Sequence, residues 1–287
     1  MKKRILIKLL WGIPLLIYAA DASAWGLFTH IYFAQYIALS LPILDPRLQN
    51  AIKKFPKLVM AGACLPDLAL VSKHFNTTHQ WHQAQEMLAQ AKSDEEIAIA
   101  VGYTSHLYVD VIAHNHFVPA FEAKWLNPSI LTHVVAEWAM DAHIAKHIET
   151  RPYGLLKHHT DVISILVAPC FKVSQTEAKK AVTRLAYADK TLRFSKLSSM
   201  LLQTIKRKDD EFIKKLDYYR SKTKEALQNF ESTLSGTRPT MEAELLHLSA
   251  TEMHAWREKC LIDARLRLTT PLQFHQAHSE QLQILHA

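Results

Sequence analysis

Glycine and cysteine are scarce in this chain of 287 residues, at six and three. So few glycines leave few of the tight positive-φ turns that hairpin-rich sheets need. Strand-like alternation is missing from 172 to 287, which excludes an appended β-sandwich. Cys64, Cys170 and Cys260 are odd in number and far apart, so at most one disulfide forms, and a zinc-finger spacing is absent. Past residue 24 no apolar run approaches the ~20 residues of a membrane span, and no internal repeat or low-complexity tract interrupts the chain. With 49% apolar and 21% charged residues, the collagen-like, disulfide-scaffold and disordered classes are excluded.

What is present begins with a secretory signature over residues 1–24. A basic start (Lys2, Lys3, Arg4) leads into an apolar stretch from Ile5 to Ala20, and Ala22-Ser23-Ala24 gives the small-x-small pattern of a cleavage site. Cleavage there starts the mature chain at Trp25, in a secreted or periplasmic protein without a transmembrane anchor. The formal charge falls from +7 to about +4, because Lys2, Lys3, Arg4, Lys8 and Asp21 leave with the signal. Non-specific attraction to phosphate backbones is then weak, and no stable nucleic-acid complex is expected.

The dominant period is helical. Ile97, Val101, Thr104, Leu107, Tyr108, Val111 and Ile112 follow a three-and-four spacing, as do Phe212, Leu216, Tyr219, Leu227, Phe230 and Leu234. Breaks are expected at Leu41-Pro42, Asp45-Pro46, Leu65-Pro66, Asn127-Pro128, Arg151-Pro152, Ala168-Pro169, Gly236 to Pro239 and Pro271. The reading is an all-α protein: a signal at 1–24, a catalytic core at 25–171, and a helical extension at 172–287 packed on that core, where histidines give way to a Lys/Glu-rich composition.

His106 and Asp110 are four residues apart and project from one face of an apolar helix. His133 and Glu137 repeat this spacing in a second apolar helix, where an uncompensated ionisable pair costs several kcal/mol to bury. Two such pairs, with His116 between them, are better explained by metal than by two surface ion pairs. Pro66-Asp67 ends an apolar stretch, His74, His79 and His82 follow, and His30 lies near the new terminus. Nitrogen and oxygen donors without thiolates suit zinc best, with manganese or iron as alternatives.

Taken in order, Trp25-Gly26, His30, Gly62 to Asp67, His79 with Trp81, His106 to Asp110, His116 and His133 to Glu137 resemble the zinc-dependent phospholipase C family over residues 25 to about 150. The resemblance implies a compact multi-helix bundle holding three zinc ions at the bottom of a cleft. It implies that Trp25 ligates one zinc through its α-amine and carbonyl together with His30, and that Asp110 bridges to a second. The second ion would take His79 and His106, with Asp67 as ligand or as base for the attacking water, and the third would take His116, His133 and Glu137. His82 competes with His79, and His114 reads as a helix-end group or as a residue supporting a ligand from behind, not as a ligand itself. The implied activity is hydrolysis of phospholipid phosphodiesters, phosphatidylcholine first, by a metal-activated water at a membrane or micelle surface. The alternatives are a single-strand-specific zinc nuclease or nucleotidase with the same cluster, and a secreted metal-holding protein without turnover.

Overall fold

A computed structural model describes residues 26–126, 130–236 and 248–268, the side chains of 130 and 131 excepted. The signal segment, Trp25 and the breaks at Pro128, Pro239 and Pro271 lie outside the described residues. Within them the chain is helical, with no strand.

Proline and capping residues set many of the helix starts. α1 (Leu27–Ser40) stops just before Leu41-Pro42. α2 (Pro46–Lys54) opens on a proline with Asp45 accepting from the backbone N–H groups of Arg47 and Leu48, and α3 (Pro56–Gly62) also opens on a proline, without a side-chain cap. After two 3₁₀ turns (Pro66–Leu70 and Lys73–Phe75) come α4 (Trp81–Gln90) and α5 (Asp94–Ile112). Ser93 and Glu96 form a reciprocal capping box at the start of α5. A π-helical turn (Ala113–Phe117) joins α5 to α6 (Val118–Trp125), followed by α7 (Ile130–Ile144) and α8 (Pro152–Cys170). Pro169 lies inside α8, one residue before its end, so this break falls in the helix's last turn. α9 (Gln175–Ser195), α10 (Leu197–Lys208), α11 (Phe212–Ala226), α12 (Phe230–Leu234) and α13 (Ala250–Leu266) complete the order.

α5 is the axis of the bundle. Residues 97–112 are all buried, which marks a helix surrounded on every side. It packs against α1, α2, α3, α4, α8, α11 and α12. One hydrophobic cluster runs from Leu27 to Ala264, so the helices after 172 share the core of the first part. Three buried thiols, Cys64, Cys170 and Cys260, are all free. Scarce glycine has a local cost: Leu126, Lys172, Lys196 and Arg267 adopt positive φ (52° to 57°) just past helix ends, a conformation costing a side-chain-bearing residue ~1–2 kcal/mol.

Candidate metal centre

His106 and Asp110 on α5 and His114 in the π-helical turn that continues it follow at intervals of four, so the three lie along one face. Pro119 perturbs the helix just beyond them. It has no N–H to offer the carbonyl of Asn115 four residues earlier, and its ring crowds that carbonyl. The backbone widens there into the π-turn, with Val118 N–H donating to Ala113 O.

A close helix crossing orients His106. A Cβ added to Gly102 would lie 2.0 Å from Val59 O, and one on Gly62 would lie 2.1 Å from Ile99 O. Only glycine lets α3 and α5 meet at this distance. One turn after Gly102, His106 donates from Nδ1 to the carbonyl of Ala63 at 2.8 Å. That bond fixes the tautomer and turns the acceptor nitrogen Nε2 into the interior.

Three sets of donors converge, each with its ligand atoms within 4.8 Å of one another: His30, His106 and Asp110; Asp67, His79 and His106; His114, His133 and Glu137. His106 Nε2 is 3.0 Å from Asp110 Oδ2 and 4.0 Å from Asp67 Oδ1. His30 Nε2 is 3.4 Å from Asp110 Oδ1, and His79 Nε2 is 3.8 Å from Asp110 Oδ2. The rings of His30 and His106 stack with centroids 3.6 Å apart. In the third set His133 Nε2 is 2.9 Å from Glu137 Oε1, and the His114 and His133 rings are 4.8 Å apart. The cluster opens to solvent at His79 (26% exposed) and His133 (20%), whereas the side chains of His106 and Asp110 are fully enclosed.

These residues fit a metal. Asp67 Oδ1, His79 Nε2, His106 Nε2, both Asp110 oxygens, His133 Nε2 and Glu137 Oε1 are buried without an aligned hydrogen bond, an expensive arrangement unless a cation compensates them. Imidazole and carboxylate donors at this spacing are the set zinc takes.

Electrostatics agrees with the geometry. Burial pushes Asp67 up to about 7 against the pull of His106, with Asp110 and Glu137 adding repulsion. Asp110 and Glu137 are likewise raised, burial being the main cause. Burial works against a charge on His106, yet Asp110, Asp67 and the Ala63 carbonyl together push it up to about 9. Packed acids of this kind hold protons, which a dication at the same place displaces.

A second buried network fixes the start of α1. Asp141 on α7 accepts from Thr29 N at 3.0 Å and from Thr29 Oγ1 at 3.3 Å, serving as a helix cap supplied from another helix. Its second oxygen is paired with Arg193, which also donates to Asp189 Oδ1 at 2.8 and 3.0 Å. A Cβ on Gly26 would lie 2.3 Å from Asp141 Cγ. The chain therefore enters the bundle one turn before His30, with His30 N 3.4 Å from Gly26 O.

Of the residues expected from sequence, His30, Asp67, His79, His106, Asp110, His133 and Glu137 are brought together; Trp25 lies outside the described residues. His82 is exposed on α4. His116 is not brought to the third set; His114, read from sequence as a helix-end group, takes that place. A helix advances 100° per residue, so six steps past Asp110 point away from its face while four return to it. His116 instead packs near Trp256, with ring centroids 5.3 Å apart, and burial with Lys259 and Lys222 nearby pushes it down to about 3. The 106–110–114 interval and Pro119 were the signals that would have found His114. Asp141 carried no such signal, because its partners are 112 and 52 residues away in the chain.

No helix among the described residues is long and apolar enough to cross a membrane. No curated protein and no solved structure matches the chain. The sequence model described as zinc dependent phospholipase C matches residues 29–219, a span that holds all three donor sets and continues past the composition shift at 172. By that match over most of its length, together with the histidine and acid sets it contains, the chain belongs to the zinc-dependent phospholipase C family.

Proposed function

We propose that this protein is an exported zinc metallohydrolase that cleaves phospholipid phosphodiesters, phosphatidylcholine among them, releasing diacylglycerol and the phosphorylated headgroup. The observation that carries this reading is the convergence of three donor sets inside the segment matched by the family, where Asp67 Oδ1, His79 Nε2, His106 Nε2, both Asp110 oxygens, His133 Nε2 and Glu137 Oε1 are buried without an aligned hydrogen bond.

His30 and Asp110 would hold the first ion, His79 and His106 with Asp67 the second, and His114, His133 and Glu137 the third. Trp25 completes the first set when the signal is removed, a role supported by the anchoring of Gly26 and Thr29 against Asp141. Zinc bound there lowers the pKa of a coordinated water toward neutrality and offsets negative charge on the phosphoryl oxygens. The chain's own part is to orient donors and move a proton. Ala63 holds His106 in one tautomer. Asp67, whose Oδ1 lies 4.0 Å from His106 Nε2, serves either as a ligand of the second ion or as the base that accepts the proton of the attacking water. The exposed edges of His79 and His133 mark the side from which the phosphodiester enters.

A paired assay tests the reading. The purified chain is given phosphatidylcholine in mixed micelles and, separately, single-stranded DNA. Release of phosphocholine and diacylglycerol, abolished by a chelator and restored by zinc, is the expected result. Cleavage of DNA alone would replace phospholipase with nuclease.

A further inference from the structure

The outward face of α9 is basic and aromatic. Its buried positions run from Ala178 to Asp189, while Lys180, Arg184, Tyr187, Lys190, Thr191 and Phe194 are exposed. At 100° per residue these six fall within a sector of about 120°. Three are cations and two are aromatic, with Tyr187 48% and Phe194 88% exposed. The two carboxylates of α9 stand elsewhere: Asp189 is buried against Arg193, and Glu177 pairs with His74 at 3.3 Å. α8 extends the surface. The Tyr153 ring meets Tyr187 edge-on at 5.3 Å, Lys190 Nζ lies 4.4 Å from the Tyr153 ring centre, and Lys157 Nζ lies 5.8 Å from that of Tyr187. The single carboxylate of α8, Asp161, is taken by Lys179 at 2.6 Å.

We infer that this face of α9 is the surface by which the protein settles on a phospholipid bilayer bearing negative charge, its cations meeting the headgroups and Phe194 entering the interface. Aromatic rings and long cationic side chains are the groups that favour that boundary. A patch of one sign suits an anionic leaflet, which attracts each nearby Lys or Arg. Single-stranded bases would need flat platforms to stack on. Here Lys190 covers the Tyr153 ring and the two tyrosines meet edge-on, which leaves Phe194 alone for that purpose. The placement suits a lipid substrate, and the inference rests on the phospholipid reading above for that purpose. α9 packs against the 3₁₀ turn that holds Asp67. Its first turn reaches His74, five residues before His79, and its last turn reaches Asp141 on α7 through Arg193. The helix therefore joins the segments that carry His79 and His133, the two exposed edges of the metal cluster.

The test uses the full zinc-loaded chain, floated with phosphatidylcholine vesicles that contain or lack phosphatidylserine. The parent should float with the mixed vesicles and far less with the neutral ones, and salt should weaken the binding. Phe194→Ala should weaken it about ten-fold. Lys180→Gln and Arg184→Gln together should weaken it about thirty-fold, roughly five-fold for each cation. The same variants should cleave a short-chain phosphatidylcholine below its micelle concentration as fast as the parent, because neither change touches the donor sets. Lys206→Gln with Arg207→Gln, at exposed positions of α10, should bind as the parent does. Undiminished flotation of the α9 variants overturns the inference, as does a parent that does not float. An equal loss in the α10 pair also overturns it, because net charge would then be the cause. Single-stranded DNA binding that the α9 variants lose, without any vesicle binding, overturns it in favour of a nucleic-acid surface. Vesicle binding that the α9 variants lose, with no phospholipid cleaved by the parent, upholds the surface and overturns the phospholipase reading instead.

Discussion

Gly102→Ala tests whether the crossing of α3 and α5 sets the metal donors. The added Cβ would lie 2.0 Å from Val59 O and 2.9 Å from Ala63 N, against an ordinary contact beginning at 3.4 Å. Both neighbours are backbone, so relief comes only by parting the helices by about 1.4 Å, the difference between 3.4 and 2.0 Å. Overpacking of this kind costs up to ~3 kcal/mol, and alanine's better helix propensity returns ~1, leaving a loss of roughly 2 kcal/mol. At about 2–4 °C per kcal/mol for a chain of this order, the melting temperature falls by roughly 4–8 °C. The Nδ1 bond of His106 to Ala63 O stretches with the same movement, so zinc affinity drops about ten-fold or more. Gly154→Ala is the control. Gly154 is exposed in α8 with nothing within 4 Å of its would-be Cβ, so alanine there stabilises by roughly 0.5–1 kcal/mol. Thermal melts and zinc titration of both variants decide the matter. A Gly102→Ala protein as stable and as fully loaded as the parent would refute the idea that this crossing positions His106.

Other perturbations follow from the same geometry. Asp141→Ala removes the cap on Thr29 and one partner of buried Arg193. It should cost about 3 kcal/mol in a denaturant titration, and a change below 1 kcal/mol would contradict the anchoring role. Lys172→Gly, at φ 54° beyond α8, should raise stability by ~1 kcal/mol, as measured by the shift of the unfolding midpoint. His79→Ala should lower zinc content while His82→Ala leaves it unchanged, the reverse result exchanging their roles. The metal-free protein should lose stability as pH rises from 6.5 to 9. His106, raised to about 9, and His133, also raised, carry stabilising protons below their unfolded value and give them up on the way. Zinc competes with those protons, so the loaded protein should bind more tightly over the same interval. A metal-free protein whose melting temperature climbs across it would show the opposite sign.

The helices were legible because their signals are local. The spacing from Ile97 to Ile112 belongs to a helix buried on every side, and Asp45-Pro46 and Arg151-Pro152 do begin helices. The His106–Asp110 and His133–Glu137 pairs were equally readable, since four residues make one turn and burial of such pairs asks for a cation. What escaped were consequences of distant contact. His114 lies beside His133 and Glu137 because the helix face continues through the interval of four, and Trp256, which bonds the Asn115 carbonyl of that turn, is 141 residues away in the chain. The Gly62–Gly102 crossing was likewise hidden, because a glycine's spacing says nothing of which helix will meet it.

Anomalous diffraction at the zinc edge, from a crystal of the zinc-loaded protein, tests the central claim most directly. Three peaks are expected: one beside His30 and Asp110, one among Asp67, His79 and His106, and one on His114, His133 and Glu137, each at the ~2.0–2.1 Å typical of zinc–nitrogen bonds. A map without peaks at these places, with His106 and Asp110 bonded only to each other, would contradict it.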